Sequence, residues 1–132
     1  MSHVFNIPFR GNKKLQHVIS EVRSNVRLQT LWKCSNVMAI DRMGYTDHGP
    51  THVRIVANMA LKILRMLVAR KVVPSIVKNY GMKNEDAEVV VVLGSILHDL
   101  GMIVSRSGHE QISALLSYEF LSRHLSHVYS EE

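Results

Sequence analysis

Apolar side chains recur at three- and four-residue intervals along most of the chain, the spacing that lines one face of an α-helix. From Leu15, the residues Val18, Ile19, Val22 and Val26 share such a face, and Leu28, Leu31 and Trp32 extend the apolar content while the stripe drifts. Segment 41–50, Asp-Arg-Met-Gly-Tyr-Thr-Asp-His-Gly-Pro, is rich in turn residues and interrupts the pattern. A second helix is predicted from Pro50, because proline suits a first turn. It carries Val53, Val56, Ala60, Ile63, Leu64 and Leu67 on one side and ends near Pro74. A short element over 75–80 stops at Gly81, a C-terminal capping residue.

A third helix is predicted with Asn84 as its cap and Glu85, Asp86 and Glu88 in its first turn, where carboxylates complement the helix dipole. Its four consecutive valines, Val89 to Val92, favour extended chain, but the capping signals and the flanking Ala87 and Leu93 favour a buried helix ending at Gly101. A fourth helix opens at Ser107-Gly-His-Glu110, which has capping-box spacing, and continues through Leu115, Leu116, Phe120 and Leu121. The expected fold is all-α, without repeats, low-complexity tracts or a glycine-rich phosphate loop.

Composition narrows the class. A chain of 132 residues with 46% hydrophobic side chains suits a single globular domain over 1–132. The longest apolar run, 89–97, is interrupted by Ser95 and falls far short of the roughly 18–20 residues that span a bilayer. The first residues carry no basic patch followed by an apolar block, and the single Cys34 can form no internal disulfide, so a cytoplasmic protein without a membrane partner is expected. The net charge of +5 is concentrated at the start: residues 1–33 hold six basic side chains against Glu21 alone, and the remainder is balanced. A basic segment over 10–40 points to a phosphate-bearing partner, nucleic acid included, although short basic stretches are commonly solvated helix faces.

The chemistry lies in the histidines, of which there are eight. His98 and Asp99 end the apolar third helix just before its glycine, and an ionisable pair there is costly unless it is paired or metal-bound. Both can face one ion beyond the helix end, because a last turn is often distorted. His52 sits in the first turn of the second helix, where its ring can enter a cleft at the positive helix end. His48 lies four residues earlier, in the loop beside the same cleft. His124 and His127 are three apart and could make a separate surface metal site, though two polar-face histidines are the simpler reading. His3 and His17 have no partner at ligand spacing, and Cys34 has no base beside it in sequence.

Taken as a set, the opening Asp47-His-Gly-Pro-Thr-His52-Val-Arg-Ile, the later His98-Asp-Leu-Gly and the following Gly108-His109-Glu resemble the HD superfamily of metal-dependent phosphohydrolases. The opening is similar to a subgroup common in archaea and bacteria. The resemblance covers about 47–120 and implies an HD-like helical bundle with a motif core over that range. It implies that His52, His98 and Asp99 bind a divalent metal (manganese, iron, nickel, cobalt, zinc or magnesium), that Asp99 is catalytic, and that His109 binds a second metal or the substrate phosphate. Phosphate-ester hydrolysis by a metal-activated water then follows, on a nucleotide or related small molecule. Arg42, His48 and Arg106 are the basic residues nearest the motifs and are candidates for positioning the phosphate.

One departure stands out. The family completes its metal shell with an aspartate well downstream, whereas no aspartate follows Asp99 here. Glu110, Glu119, Glu131 and Glu132 are the only later side-chain carboxylates. The bundle is therefore expected to be incomplete at its C-terminal side, with an apolar face left on the second or fourth helix and another copy of the chain covering it. The alternatives are a catalytically weakened metal or nucleotide sensor and a nucleic-acid-binding module using the basic N-terminal segment.

Overall fold

Asparagine side chains divide the N-terminal apolar stripe into two helices. Asn12 Oδ1 accepts the Leu15 backbone N–H at 3.0 Å and Asn25 Oδ1 accepts that of Leu28 at 2.8 Å, the N-cap contacts that open α1 (Lys13–Ser24) and α2 (Val26–Val37). The computed structural model describes residues 5–44 and 46–129, and these contain four further α-helices and no strand. They are α3 (Pro50–Ala69), α4 (Ser75–Tyr80), α5 (Asn84–Leu97) and α6 (His109–His124). A π-helical turn (Met38–Arg42) extends α2, and a 3-10 turn (Leu100–Ile103) follows α5.

Several boundaries differ from the sequence expectation. The third predicted helix ends at Leu97 rather than Gly101, so His98 and Asp99 stand just past a regular helix. Its cap is not Asn84, the first helical residue; instead Asp86 Oδ2 reaches back to accept the Lys83 backbone N–H at 2.8 Å. The box expected at Ser107 does not form either: α6 starts at His109 behind a left-handed Gly108 (φ 72°), with no side-chain cap. α3 stops at Ala69, short of Pro74, whereas the Gly81 stop of α4 appears as expected, in the left-handed region (φ 64°).

α5 is the central helix. Val89, Val92, Leu93, Ile96 and Leu97 are buried, at the helical spacing that overrides the extended preference of the valine run, while Val90 faces solvent. They pack against Leu15, Val18, Ile19 and Val22 of α1 and Val53, Ala57 and Leu61 of α3. Trp32 of α2 closes this core, stacking on Phe5 (ring centroids 5.3 Å apart) and donating its indole N–H to the Ile96 carbonyl at 2.9 Å.

α3 is apolar on more than one side, which is why its pattern misled. The side facing α5 is the Val53–Ala57–Leu61 row, whereas Ile63 and Leu67, expected inside, are exposed. With Ile55, Met59 and Met66 they form an outward stripe at four- and three-residue spacing, with Met59 60% exposed. No described helix is long and apolar enough to cross a membrane.

Two polar ties hold α1 and α3 to the start of α5. Asn12 Nδ2 donates to the Glu85 carbonyl (3.0 Å) and to Glu88 Oε2 (2.9 Å), and Arg65 forks onto both Glu88 oxygens (2.7 and 3.0 Å) while also donating to the Pro8 carbonyl (2.7 Å). Lys14 and the Tyr129 hydroxyl meet on Asp86 Oδ1, at 2.6 and 3.0 Å.

Candidate metal centre

The site forms where three helix ends meet. Gly49 caps and Pro50 starts α3, so His52 lies in its first turn, with Nε2 3.5 Å from Asp99 Oδ2. His98 follows the last residue of α5, and Asp99 turns out of helical geometry (φ −106°, ψ 9°), which re-aims its carboxylate. His109 is the first residue of α6, brought close because the 3-10 turn packs tightly under that helix. Gly101 makes this approach possible: a Cβ there would lie 2.1 Å from the His109 carbonyl oxygen, and its N–H donates to Ser113 Oγ at 2.8 Å.

Asp99, only 7% exposed, is the hub. Its Oδ2 lies 2.9 Å from His98 Nε2 and 3.5 Å from His52 Nε2, and its Oδ1 lies 3.6 Å from His109 Nε2. One ligand atom each from His52, His98 and Asp99 falls within 4.8 Å of the others, a group compact enough to hold one metal ion. His109 faces the opposite carboxylate oxygen and stands outside that group.

Backbone carbonyls orient the rings. His98 Nδ1 lies 2.8 Å from the Ser95 carbonyl, His109 Nδ1 2.7 Å from that of Arg106, and His48 Nδ1 2.6 Å from that of Thr46. A carbonyl can only accept, so each Nδ1 carries the hydrogen and each Nε2 is left as the ring's other reactive atom. Fixing the tautomer through the second ring nitrogen is the usual support of a metal-ligating histidine. The His48 loop is itself anchored, since Asn36 Oδ1 at the end of α2 accepts the His48 backbone N–H at 3.0 Å and Asp47 Oδ1 accepts that of Gly49 at 2.6 Å.

The titrations follow from this packing. Burial pushes Asp99 up, but the His98 hydrogen bond and the positive charge of the surrounding imidazoles outweigh it and hold the carboxyl below its ordinary range. His98 is raised, chiefly by its hydrogen bond to Asp99, against the opposing effect of burial. His52 is lowered, first by burial and then by His48 and His98, with Asp99 compensating only in part. Two imidazoles, His52 half-buried and His98 more exposed, beside the buried Asp99 carboxylate make a mixed nitrogen and oxygen donor set that fits a borderline divalent cation once the rings give up their Nε2 protons.

A cavity of about 310 Å³ opens next to Asp99, lined by Gly44, Thr46, His48, Met102, Arg106 and His109. Of the three basic residues expected at the phosphate, His48 and Arg106 are on its wall, whereas Arg42 is exposed and does not line it. Of the late carboxylates, Glu119 is engaged by a two-pronged pair with Arg27 at 2.9 Å, and Glu110 lies beside His109 (3.6 Å) with its carboxylate largely in solvent. Glu131, Glu132 and His3 lie outside the described residues. Two supports escaped sequence reading: Asn36 lies far from the motif in sequence, and the Ser95 carbonyl is a backbone group that no residue type announces.

No family model and no solved structure matches the chain. The chain is similar to an uncharacterised protein of Methanocaldococcus jannaschii, 41% identical over 115 residues, a match covering 87% of the chain and 44% of that relative. The chain thus spans less than half the length of the relative it matches.

Proposed function

We propose that the protein is a metal-dependent phosphohydrolase of the HD type, acting on a nucleotide or another phosphate ester. The observation that carries this reading is the meeting of His52, His98 and Asp99 from two distant helix ends, within 4.8 Å, beside a cavity walled by His48, Arg106 and His109. A divalent ion bound there would acidify a water molecule and offset negative charge on a phosphoryl oxygen. Asp99 supplies the anionic donor, and His52 and His98 supply neutral nitrogens held by the fold. Arg106 and His48 line the same cavity as Asp99, where cationic and N–H donors would orient phosphate oxygens. His109 faces the free side of Asp99 and either holds a second ion or donates to the substrate.

A nucleic-acid module is the weaker reading. Of its basic segment, Lys14 is paired with Asp86, Arg27 with Glu119, and Arg23 donates to the Phe5 carbonyl, which turns these cations toward the fold. A second copy of the chain suits the outward apolar stripe of α3, because contiguous exposed apolar surface marks interaction sites.

The test is hydrolysis of a chromogenic phosphate monoester with added manganese. Wild type should turn over, and Asp99→Ala should abolish turnover and release the metal while keeping the helical circular dichroism. Metal binding without turnover on any phosphate ester would leave the sensor, and absence of metal binding would end both.

A further inference from the structure

A second histidine cluster lies on the face of the molecule formed by α1 and the segment after α6. α6 ends at His124, and the chain then makes one further turn, with the backbone N–H groups of Val128 and Tyr129 both donating to the Leu125 carbonyl (2.9 and 3.0 Å). That turn brings His127 against His17 of α1, which sequence spacing had left without a partner. The two Nε2 atoms are 2.6 Å apart, with the rings edge to face at 4.8 Å between centroids.

A carboxylate stands beside them. Glu21 is four residues after His17, one helical turn along the same face of α1, and its Oε1 lies 4.0 Å from His17 Nε2. Its other oxygen, Oε2, lies 3.7 Å from His124 Nδ1. The Asn25 amide N–H donates to His124 Nε2 at 3.0 Å, so the His124 hydrogen is on Nδ1 and faces the Glu21 carboxylate. His124 therefore faces one oxygen of Glu21 at 3.7 Å, and the other lies toward His17. This is a pair of imidazole nitrogens and a carboxylate with its own supporting histidine.

We propose that His17, His127 and Glu21 form a second cation site, taking a borderline transition ion such as zinc or nickel, separate from the Asp99 centre. Two nitrogens bound tetrahedrally at about 2.0–2.1 Å stand about 3.3 Å apart, so the His17–His127 pair needs to open only slightly. Glu21, about one-third exposed, must also swing its Oε1 in from its present 4.0 Å from His17 to complete the set, with Oε2 still toward His124. His124 acts as the positioning residue for Glu21. The ion would clip the turn after α6 onto α1, next to the contacts that already seat it: buried Leu125, and Tyr129 beneath the Lys14 ammonium (5.1 Å) with its hydroxyl on Asp86.

Calorimetric titration with zinc chloride of the full chain carrying Asp99→Asn isolates this site. One zinc per chain should bind, and the thermal midpoint should rise with zinc. Adding His17→Gln or His127→Gln should weaken zinc at least about tenfold and remove the thermal shift, and His124→Gln should weaken it by about 10–100-fold through Glu21. Equal zinc affinity with and without His17→Gln, or no zinc bound by Asp99→Asn, overturns the proposal. Should Asp99→Asn not fold, the ring proton resonances of His17 and His127 in wild type decide the question. Shifts of both with zinc support the site, and unmoved signals overturn it.

Discussion

Gly101 shows how a single missing side chain sets the geometry of the centre. It is buried under the first turn of α6, and the space a Cβ would need is already filled by backbone: the His109 carbonyl oxygen at 2.1 Å and the Ser113 nitrogen at 2.8 Å. Backbone atoms cannot rotate aside, so Gly101→Ala must lift the start of α6 and break the Gly101 N–H bond to Ser113. The expected cost is about 1–3 kcal/mol of unfolding free energy, read from the urea midpoint. His109 rides on the same turn and should be displaced from Asp99 Oδ1; an unchanged midpoint would mean that the close approach is relaxed in solution. At this scale legibility was uneven. His52, His98 and Asp99 could be picked out in advance because the Asp47–His52 opening and the His98-Asp-Leu-Gly stretch form a motif pair, although the helix before the second stops at Leu97 and not at the glycine that was expected to end it. The His17–His127 contact could not, because it depends on how the turn at 125–129 seats against α1, a long-range contact that no spacing along the chain declares.

Among the elements, α5 shows most clearly why patterning both succeeds and fails. Its valine run has the wrong local preference for a helix, yet burial of Val89 and Val92 in the core decides the outcome. Asn25 marks the opposite case: a good N-cap residue lay within a continuing apolar stripe, and the break between α1 and α2 went unread. The register of α3 was also misread, because a helix apolar on two sides does not declare which one meets α5. What fixes α3 and α1 on α5 is polar. Arg65 and Glu88 are both less than one-fifth exposed, and the Glu88 carboxylate satisfies Arg65 and Asn12 together. Arg65→Met strands that carboxylate and should destabilise by about 1.5–3 kcal/mol, the range for hydrogen bonds to charged groups. The double variant Arg65→Met/Glu88→Gln should lose clearly less than the sum of the singles, because it leaves no unpaired charge. Strict additivity in the denaturation cycle would show that the pair does not couple the helices.

For the molecule as a whole, these polar ties determine how stability responds to pH. Burial raises Asp86 and Glu88, but it is outweighed: Lys14, the Lys83 N–H and Tyr129 act on the first, and Arg65 and Asn12 on the second, so both carboxyls are held below their ordinary values. A depressed carboxyl stabilises the fold above its unfolded value, about 4, and that stabilisation disappears as pH falls through the folded value. Asp99 adds to the same acid edge. The histidines act near neutrality and in opposite senses. His98 is raised, so its contribution is complete below 6.5 and is lost as pH rises through its folded value. His52 is lowered, so it favours the fold above 6.5 and loses that contribution as pH falls through its folded value. The two act in opposite senses through neutrality, whereas the carboxylates all act together, so the metal-free thermal midpoint should drop most clearly below about pH 4. Asp86→Asn separates the contributions: it should lower the midpoint at pH 7 and make the acid drop shallower, because its unfolded-state proton uptake is gone. An acid edge as steep in Asp86→Asn as in wild type would place the pH response elsewhere than in the ties between α1, α5 and the turn that carries Tyr129.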